Sequence, residues 1–392
     1  MPPVVALVGP VPPWRSGIAD QGARLVAAMR RLGHEPLVVT HRRMYPPFLY
    51  PGHADREEGQ LLSPGGEWHA PLDGYNPLSF VRAARLVASR DAALAIVPWW
   101  TAFWGPHTAA FLATLGAESP RTVRLLLCHN VWDHETGPLS AALTRAVLRR
   151  ADRIVVQNRR AEAEVRGEFG EKPVAVLPHP SEPRAVLPDR AEARGRLGVP
   201  LDAPVFLFSG ILRPYKGWDL LLDAFREVRR EIPRAVLVLA GEPWGDAALL
   251  AAEAGSASRA GRRFSGERPA FSGVRLELRY LPEEERTLWF AACDAVVCPY
   301  RHATGSGIAA DAIAFARPVI GTRVDGLLDV VDDGVSGLLV PAGDRAALAA
   351  AMNRFVREGL GPRLSAGAAA RAGQFHPDAH ARRLLAFGGV SA

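Results

Sequence analysis

An α/β fold, with parallel sheets covered by helices and the chain divided between two domains, is what this sequence predicts. Its 392 residues are too many for one ordinary hydrophobic core. Short apolar runs of strand length alternate with segments of helical periodicity from the first residues onward. The alternation starts afresh at Val205, after a proline- and arginine-rich stretch, 178–204, that reads as a connector.

Val4 to Val8 is a continuous apolar strand, followed by a proline- and glycine-bearing loop to Gly17. A helix follows with Leu25, Ala28, Met29 and Leu32 on its inner face and Gly33 closing it. Pro36 to Thr40 is the next strand, so the chain opens β-α-β and a parallel sheet is expected. The first loop lacks G-x-G-x-x-G spacing, which argues against a dinucleotide-dependent oxidoreductase. Residues 41–77, rich in glycine and proline, read as irregular. Helix 77–89, strand 93–97, helix 106–116, strand 122–128, helix 139–151, strand 153–157, helix 159–169 and strand 173–177 continue the pattern.

Two loops of this half carry chemistry. Pro98 to Trp104 is dense in aromatics, suited either to facing a sugar or lipid or to packing between elements. His129-Asn130-Val131-Trp132-Asp133-His134-Glu135 follows a parallel strand at its carboxyl end, where ligands bind in open α/β sheets. A metal site from His129, His134 and Glu135 is not expected, because the H-E-x-x-H form is absent.

In the second half, strand Val205 to Ser209 leads through Gly210 to Lys216-Gly217 and a helix bearing Trp218, Leu221, Leu222, Phe225 and Val228. Arg213 and Lys216, three residues apart after a strand, suit an anionic leaving group. Lys216 stands out because only Lys172 shares its residue type in this chain. Strand 235–240, a polar insertion 242–273, strand Leu276 to Tyr280 and helix 283–293 come next. The stretch Cys293 to Val319 then reads as strand, small-residue turn from His302 to Gly305, helix from Ser306 to Ala316, and strand. A glycine-bearing turn into a helix N-terminus offers free N–H groups and the positive end of a dipole, which suits phosphate. No Gly-Lys-Ser/Thr follows, so this is no Walker loop, and an ordinary strand-to-helix turn is the alternative. Turn and strand 334–341 and helices 344–357, 362–373 and 377–387 end the chain.

The bulk composition narrows the class further. With 48% hydrophobic and 22% charged residues the chain is globular. Its net charge of +6 comes without a basic run interleaved with aromatics, so nucleic acid is not an expected partner. Peripheral contact with anionic lipid headgroups is compatible with that charge. Cys128, Cys293 and Cys298 lack C-x-x-C spacing and read as buried thiols of a reducing compartment. The start runs straight into a strand and no apolar segment reaches the ~20 residues of a membrane span, so a cytoplasmic protein is expected.

Five stretches, GPVPPWRSGIAD, CHNVWDHE, FSGILRPYKGWDLLLDAF, YLPEEERTLWFAACDAVVCPYR and ATGSGIAADAIAFARPVIGTRVDGLLDVVDDGVSGLLVPAGD, together resemble the GT-B retaining glycosyltransferases of family 4. The resemblance implies two Rossmann-like, doubly wound domains facing across a cleft. On that basis residues 1–180 form the acceptor domain, 181–203 a linker, 204–375 the donor domain, and 376–392 a helix turning back toward the first. It implies transfer of a hexose-type sugar from a nucleotide diphosphate-sugar to an acceptor hydroxyl, with retention and with neither metal nor cofactor. The acceptor class, whether glycan, lipid or small molecule, is not legible.

Lys216 matches the lysine that grips the donor diphosphate, and Ser306, Gly307 and Ile308 match the segment whose amides meet the same phosphates. Tyr280 and Leu281 fall where the nucleobase rests; Gly210, Thr304 and Gly305 complete the donor set. Ser16, Gly17, Asn130 and Trp132 are the acceptor candidates, and His129 matches the residue near the transferred sugar. Two positions depart from the pattern. Where the family often has two glutamates eight apart, this chain has Ala303 and Asp311, the latter still able to accept from ribose hydroxyls. Ile211 occupies the usual arginine position, so Arg213 is the candidate second cation. Other GT-B chemistries, an epimerase or a phosphorylase, and a non-catalytic sugar-nucleotide-binding subunit are the rival readings.

Overall fold

The computed structural model describes residues 2–45, 56, 66–132, 137–182, 187–244, 247 and 272–391. The chain forms two compact units, one of Met1–Pro180 with Pro377–Ala392, the other of Ser181–His376.

The first unit is built on strands β1 (Val5–Val8), β2 (Leu37–Arg43), β3 (Trp68–Asp73), β4 (Leu94–Trp99), β5 (Val123–Cys128), β6 (Arg153–Val156) and β7 (Val174–Val176). They lie in the order β3-β2-β1-β4-β5-β6-β7, every pair parallel. Such a sheet is covered on both faces, which is why its strands read as unbroken apolar runs. Alternate residues serve opposite cores. Ala6, Val8, Ala95, Val97, Leu126 and Cys128 pack with Phe80, Phe111 and Leu115, whereas Val5, Leu7, Ile96 and Leu125 pack with Leu25 and Met29. The last helix, Pro377–Gly388, joins the second of these cores through Ala381, Leu384 and Leu385.

The second unit repeats the plan with β8 (Val205–Ser209), β9 (Val236–Ala240), β10 (Val274–Glu277), β11 (Ala295–Cys298), β12 (Val319–Thr322) and β13 (Gly337–Val340). Their order is β10-β9-β8-β11-β12-β13, again all parallel. Phe206, Phe208, Leu237 and Val297 face one core, and Val205, Leu207, Val238 and Val296 the other. In both sheets the winding direction reverses beside the first strand, between β1 and β4 and between β8 and β11. Loops at the carboxyl ends of such a strand pair diverge and leave room for a ligand.

Several expectations need correction. Residues 41–77 are not wholly irregular, since β2 runs on to Arg43 and β3 occupies Trp68–Asp73; 46–55 and 57–65 lie outside the described residues. Edge strand β3 pairs with β2 through register shifts at Val39/His41 and His41/Arg43, which blurs its period-two signal. The stretch expected as a linker carries the helix Arg190–Leu197 and belongs to the second unit. β10 ends at Glu277, so Tyr280 sits in the following loop rather than on the strand. Most of the 242–273 insertion lies outside the described residues.

Two buried histidines of the first unit make its stability acid-sensitive. His41 packs against Trp14, Phe80 and Trp104 with neither ring nitrogen hydrogen-bonded among the described residues. Burial, then His107, pulls its pKa down to about 3. For His380, burial followed by His179 and Arg383 does the same, again to about 3. Both folded values lie below the ordinary imidazole value, so the unfolded chain takes up protons first as pH falls. Stability is therefore lost from about pH 6.5 downward, by about 2 kcal/mol for each ring at pH 5. Urea midpoints at pH 7 and pH 5 should differ accordingly; coincident midpoints would show that these rings are not buried neutral.

Candidate active site

In the second unit the switch-point loops bring two walls together at Gly210. The first wall follows β8. Gly210 has φ +100°, and a Cβ there would lie 3.2 Å from Lys216 Nζ and 3.3 Å from Ile308 Cγ1. Only glycine suits that position, and the same measurement sets the lysine ammonium and the start of the 307–314 helix against one Cα. The turn Pro214–Lys216 is clamped from β11: Arg301 donates its N–H to Tyr215 O at 2.7 Å and its guanidinium to Pro214 O and to both Asp219 oxygens. Gly217, at φ +67°, lets the chain pass Pro299, whose carbonyl would sit 2.1 Å from a Cβ.

Lys216 is half-buried, and its Nζ takes no hydrogen bond or ion pair among the described residues. Desolvation of the ammonium, with Arg213 adding repulsion, holds its pKa down at about 8. Arg213 lies 4.5 Å over the Trp244 ring. Among the described residues no carboxylate pairs with either cation, an arrangement that suits an anion.

The second wall follows β11. Tyr300 is buried, its carbonyl accepts from Thr322 Oγ1 at 2.6 Å, and its hydroxyl lies 3.2 Å from Ser306 Oγ. Ser306 caps the helix Gly307–Ala314 by accepting from Ala309 N at 3.1 Å. Gly307 and Ile308 occupy the first turn, where no intrahelical carbonyl reaches their amides. The turn ahead of them rests on the short helix Asp325–Leu328, where Gly326 donates to Ala303 O at 2.8 Å. A Cβ on Gly326 would meet Gly305 N at 2.7 Å, so the support is main chain against main chain. Ala303 is buried and brings no polar side chain to the site. Thr304 and Gly305 are half-buried in the same turn. Leu281 and Ile308 share one apolar cluster, and Tyr280, the residue before Leu281, is exposed. Asp311 is buried, and its carboxylate accepts from the Ser181 hydroxyl.

In the first unit, Ser16 caps the helix Gly17–Arg31 by accepting from Ala19 N at 3.0 Å, and Gly17 is exposed with open space around its Cα. His129 leaves β5 buried, its N–H bonded to Trp99 O at 2.8 Å. Burial, then His179 and His380, drives its pKa well below the ordinary value, so the ring is neutral. Asn130 Nδ2 donates to Trp100 O at 3.4 Å, and Arg145 stacks over Trp132 at 5.5 Å. The 98–104 aromatics pack mainly inward: Trp99 and Trp104 are buried, and Tyr45 Oη accepts from Trp100 Nε1 at 2.7 Å and Trp104 Nε1 at 3.3 Å. His134 and Glu135 lie outside the described residues. Among the described residues no group of three His, Cys, Asp or Glu is placed to hold a metal ion, and no helix is long and apolar enough to cross a membrane. All three cysteines are buried free thiols.

Sequence reasoning missed Tyr300, Arg301, Gln157, His179 and His380. The first two sit directly after the β11 run, and Gln157 directly after β6, so position at a strand's carboxyl end was the signal.

Two parallel-sheet units, each with its loops arrayed at a switch point, define the GT-B class of glycosyltransferase. The chain resembles, over 97% of its length and 97% of theirs, sucrose-phosphate synthase from Thermosynechococcus elongatus (TM-score 0.73, 20% identity). It also resembles, over 98% of both chains, Anabaena Alr3699/HepE, solved with UDP (TM-score 0.74, 15% identity). Residues 16–183 match the model of Glycosyltransferase Family 4 and residues 203–358 that of Glycosyl transferases group 1, and the chain belongs to this family of enzymes. Among curated relatives are the D-inositol 3-phosphate glycosyltransferases of Nocardioides sp. (35% identity over 212 residues, 50% of this chain and 44% of the relative) and Frankia alni (36% over 209 residues, 50% and 48%). The chain thus spans about half the length of the curated relatives it matches.

Proposed function

We propose that this enzyme transfers a hexose-type sugar from a nucleoside diphosphate-sugar to an acceptor hydroxyl, with retention and without a bound metal. The observation that carries the reading is the Lys216 ammonium, unpaired among the described residues, sharing the Gly210 Cα with the start of the 307–314 helix. Lys216, Arg213 and the Gly307 and Ile308 amides then stabilise charge growing on the leaving diphosphate, the role a metal would otherwise fill. The leaving phosphate itself takes the acceptor proton on the retained face. Tyr280 and Leu281 offer the nucleobase a partly apolar shelf beside Ile308. Solved relatives are described in complex with UDP and with UDP-glucose, which supports a uridine nucleotide as the first donor to try.

The test is a pH series of donor binding together with acceptor-dependent release of nucleoside diphosphate. Because the ammonium loses its proton near pH 8 in the free protein and is held charged by the diphosphate, affinity falls as pH rises. UDP should bind roughly 20-fold more weakly at pH 9.5 than at pH 7.5, and Lys216→Met should abolish that limb. A wild-type profile that stays flat across this range, together with an affinity that Lys216→Met leaves unchanged at pH 7.5, would remove Lys216 from the diphosphate.

A further inference from the structure

The carboxyl ends of three neighbouring strands, β5, β6 and β7, bring His129, Gln157 and His179 together. Gln157 is buried, with Nε2 at 3.2 Å from His129 Nδ1 and 3.4 Å from His179 Nδ1. Its Oε1 is buried with no partner among the described residues. Turning the amide over would leave an NH2 group, two donors, without an acceptor; as it stands both donors are used and one carbonyl oxygen is idle. Orphaned buried donors are the costlier outcome, so the amide donates to both rings. A ring nitrogen that accepts carries no proton, which puts the His129 proton on Nε2. Among the described residues nothing else hydrogen-bonds to the His129 ring, so Nε2–H is the group left for a ligand.

We propose that Gln157 is a positioning residue that holds His129 as the Nε2–H imidazole, a hydrogen-bond donor to an oxygen of a sugar bound at the carboxyl ends of β5, β6 and β7. This rests on the transferase reading, and it makes His129 a donor rather than a base. The surroundings agree: His179 and His380 both oppose a second proton on His129, and Arg383 bears on His380. A neutral ring with Nδ1 occupied can only donate.

The experiment is long-range proton–nitrogen correlation of the histidine rings in the full chain, with turnover measured on the same samples. In the wild-type protein from pH 6 to pH 8, His129 should show an unprotonated Nδ1 and a protonated Nε2. Gln157→Glu, which only accepts, should move the proton to Nδ1 and lower turnover roughly 10- to 100-fold with donor KM little changed. Gln157→Met, which keeps the volume and removes the amide, should leave the tautomers mixed and the rate between the two. A proton on Nδ1 in the wild-type ring would overturn the proposal, as would a tautomer switch in Gln157→Glu that leaves turnover untouched. Should the wild-type chain turn over no nucleotide-sugar, the ring signals still decide what Gln157 does, and it is the transferase reading that falls.

Discussion

Replacing Lys216 with alanine should lower sugar transfer by about 10²- to 10³-fold, the effect of deleting one preorganised group from a site of developing charge. The same substitution should leave the fold as stable or make it slightly more so. The ammonium is partly desolvated, repelled by Arg213 and without a hydrogen bond or ion pair among the described residues. An unpaired cation in such a place destabilises the folded chain, and function is the reason to keep it. Acceptor-dependent release of nucleoside diphosphate reads the first effect and thermal unfolding the second. A variant that loses activity together with several degrees of melting temperature would mark Lys216 as structural, and one with unchanged turnover would take it out of the mechanism.

Arg194→Ala should cost the second unit about 3–5 kcal/mol, the range seen when one member of a buried ionic network is removed. Its guanidinium is fully buried and donates to the carbonyls of Ala292, Pro200, Leu201 and Ala203 and to Asp294 Oδ2, at 2.8–3.0 Å. Asp294 in turn accepts from Val205 N at 2.7 Å. One side chain therefore pins the helix Arg190–Leu197 to the amino ends of β8 and β11. Removing it strands four main-chain acceptors and leaves Asp294 only Arg190 and the Val205 amide, and lysine has too few donors in the wrong geometry to replace it. Urea denaturation should show the loss in the midpoint of the second unit's transition. UDP affinity, measured at a temperature where the variant is folded, should not change, because Lys216 and Ser306–Ile308 lie at the opposite, carboxyl ends of the strands. A shift below 1 kcal/mol would mean that water satisfies those carbonyls.

How much was legible follows from where the signals sit. The strands β1, β4, β8 and β11 are apolar runs buried on both faces, and no other environment favours such runs beside glycine-bearing turns. Lys216 and Ser306–Ile308 were legible because strand-loop-helix order places them at carboxyl ends. Edge strand β3 was missed because its register shifts break the alternation, and the helix Arg190–Leu197 because its polarity resembles a linker. What fixes that helix is a single arginine whose partners are backbone carbonyls, and carbonyls leave no mark in a sequence.

By itself the sequence determined two parallel-sheet halves, the family, and a lysine and a helix start as candidates for an anion. Only the tertiary structure decided that these two meet at Gly210, that Asp311 is paired with Ser181, and that Gln157 stands between two imidazoles. The division has one physical cause. Burial and backbone propensity are local and repeat along a chain, so they can be read from it; a hydrogen bond between residues 130 positions apart depends on where folding brings them, and composition is silent on that.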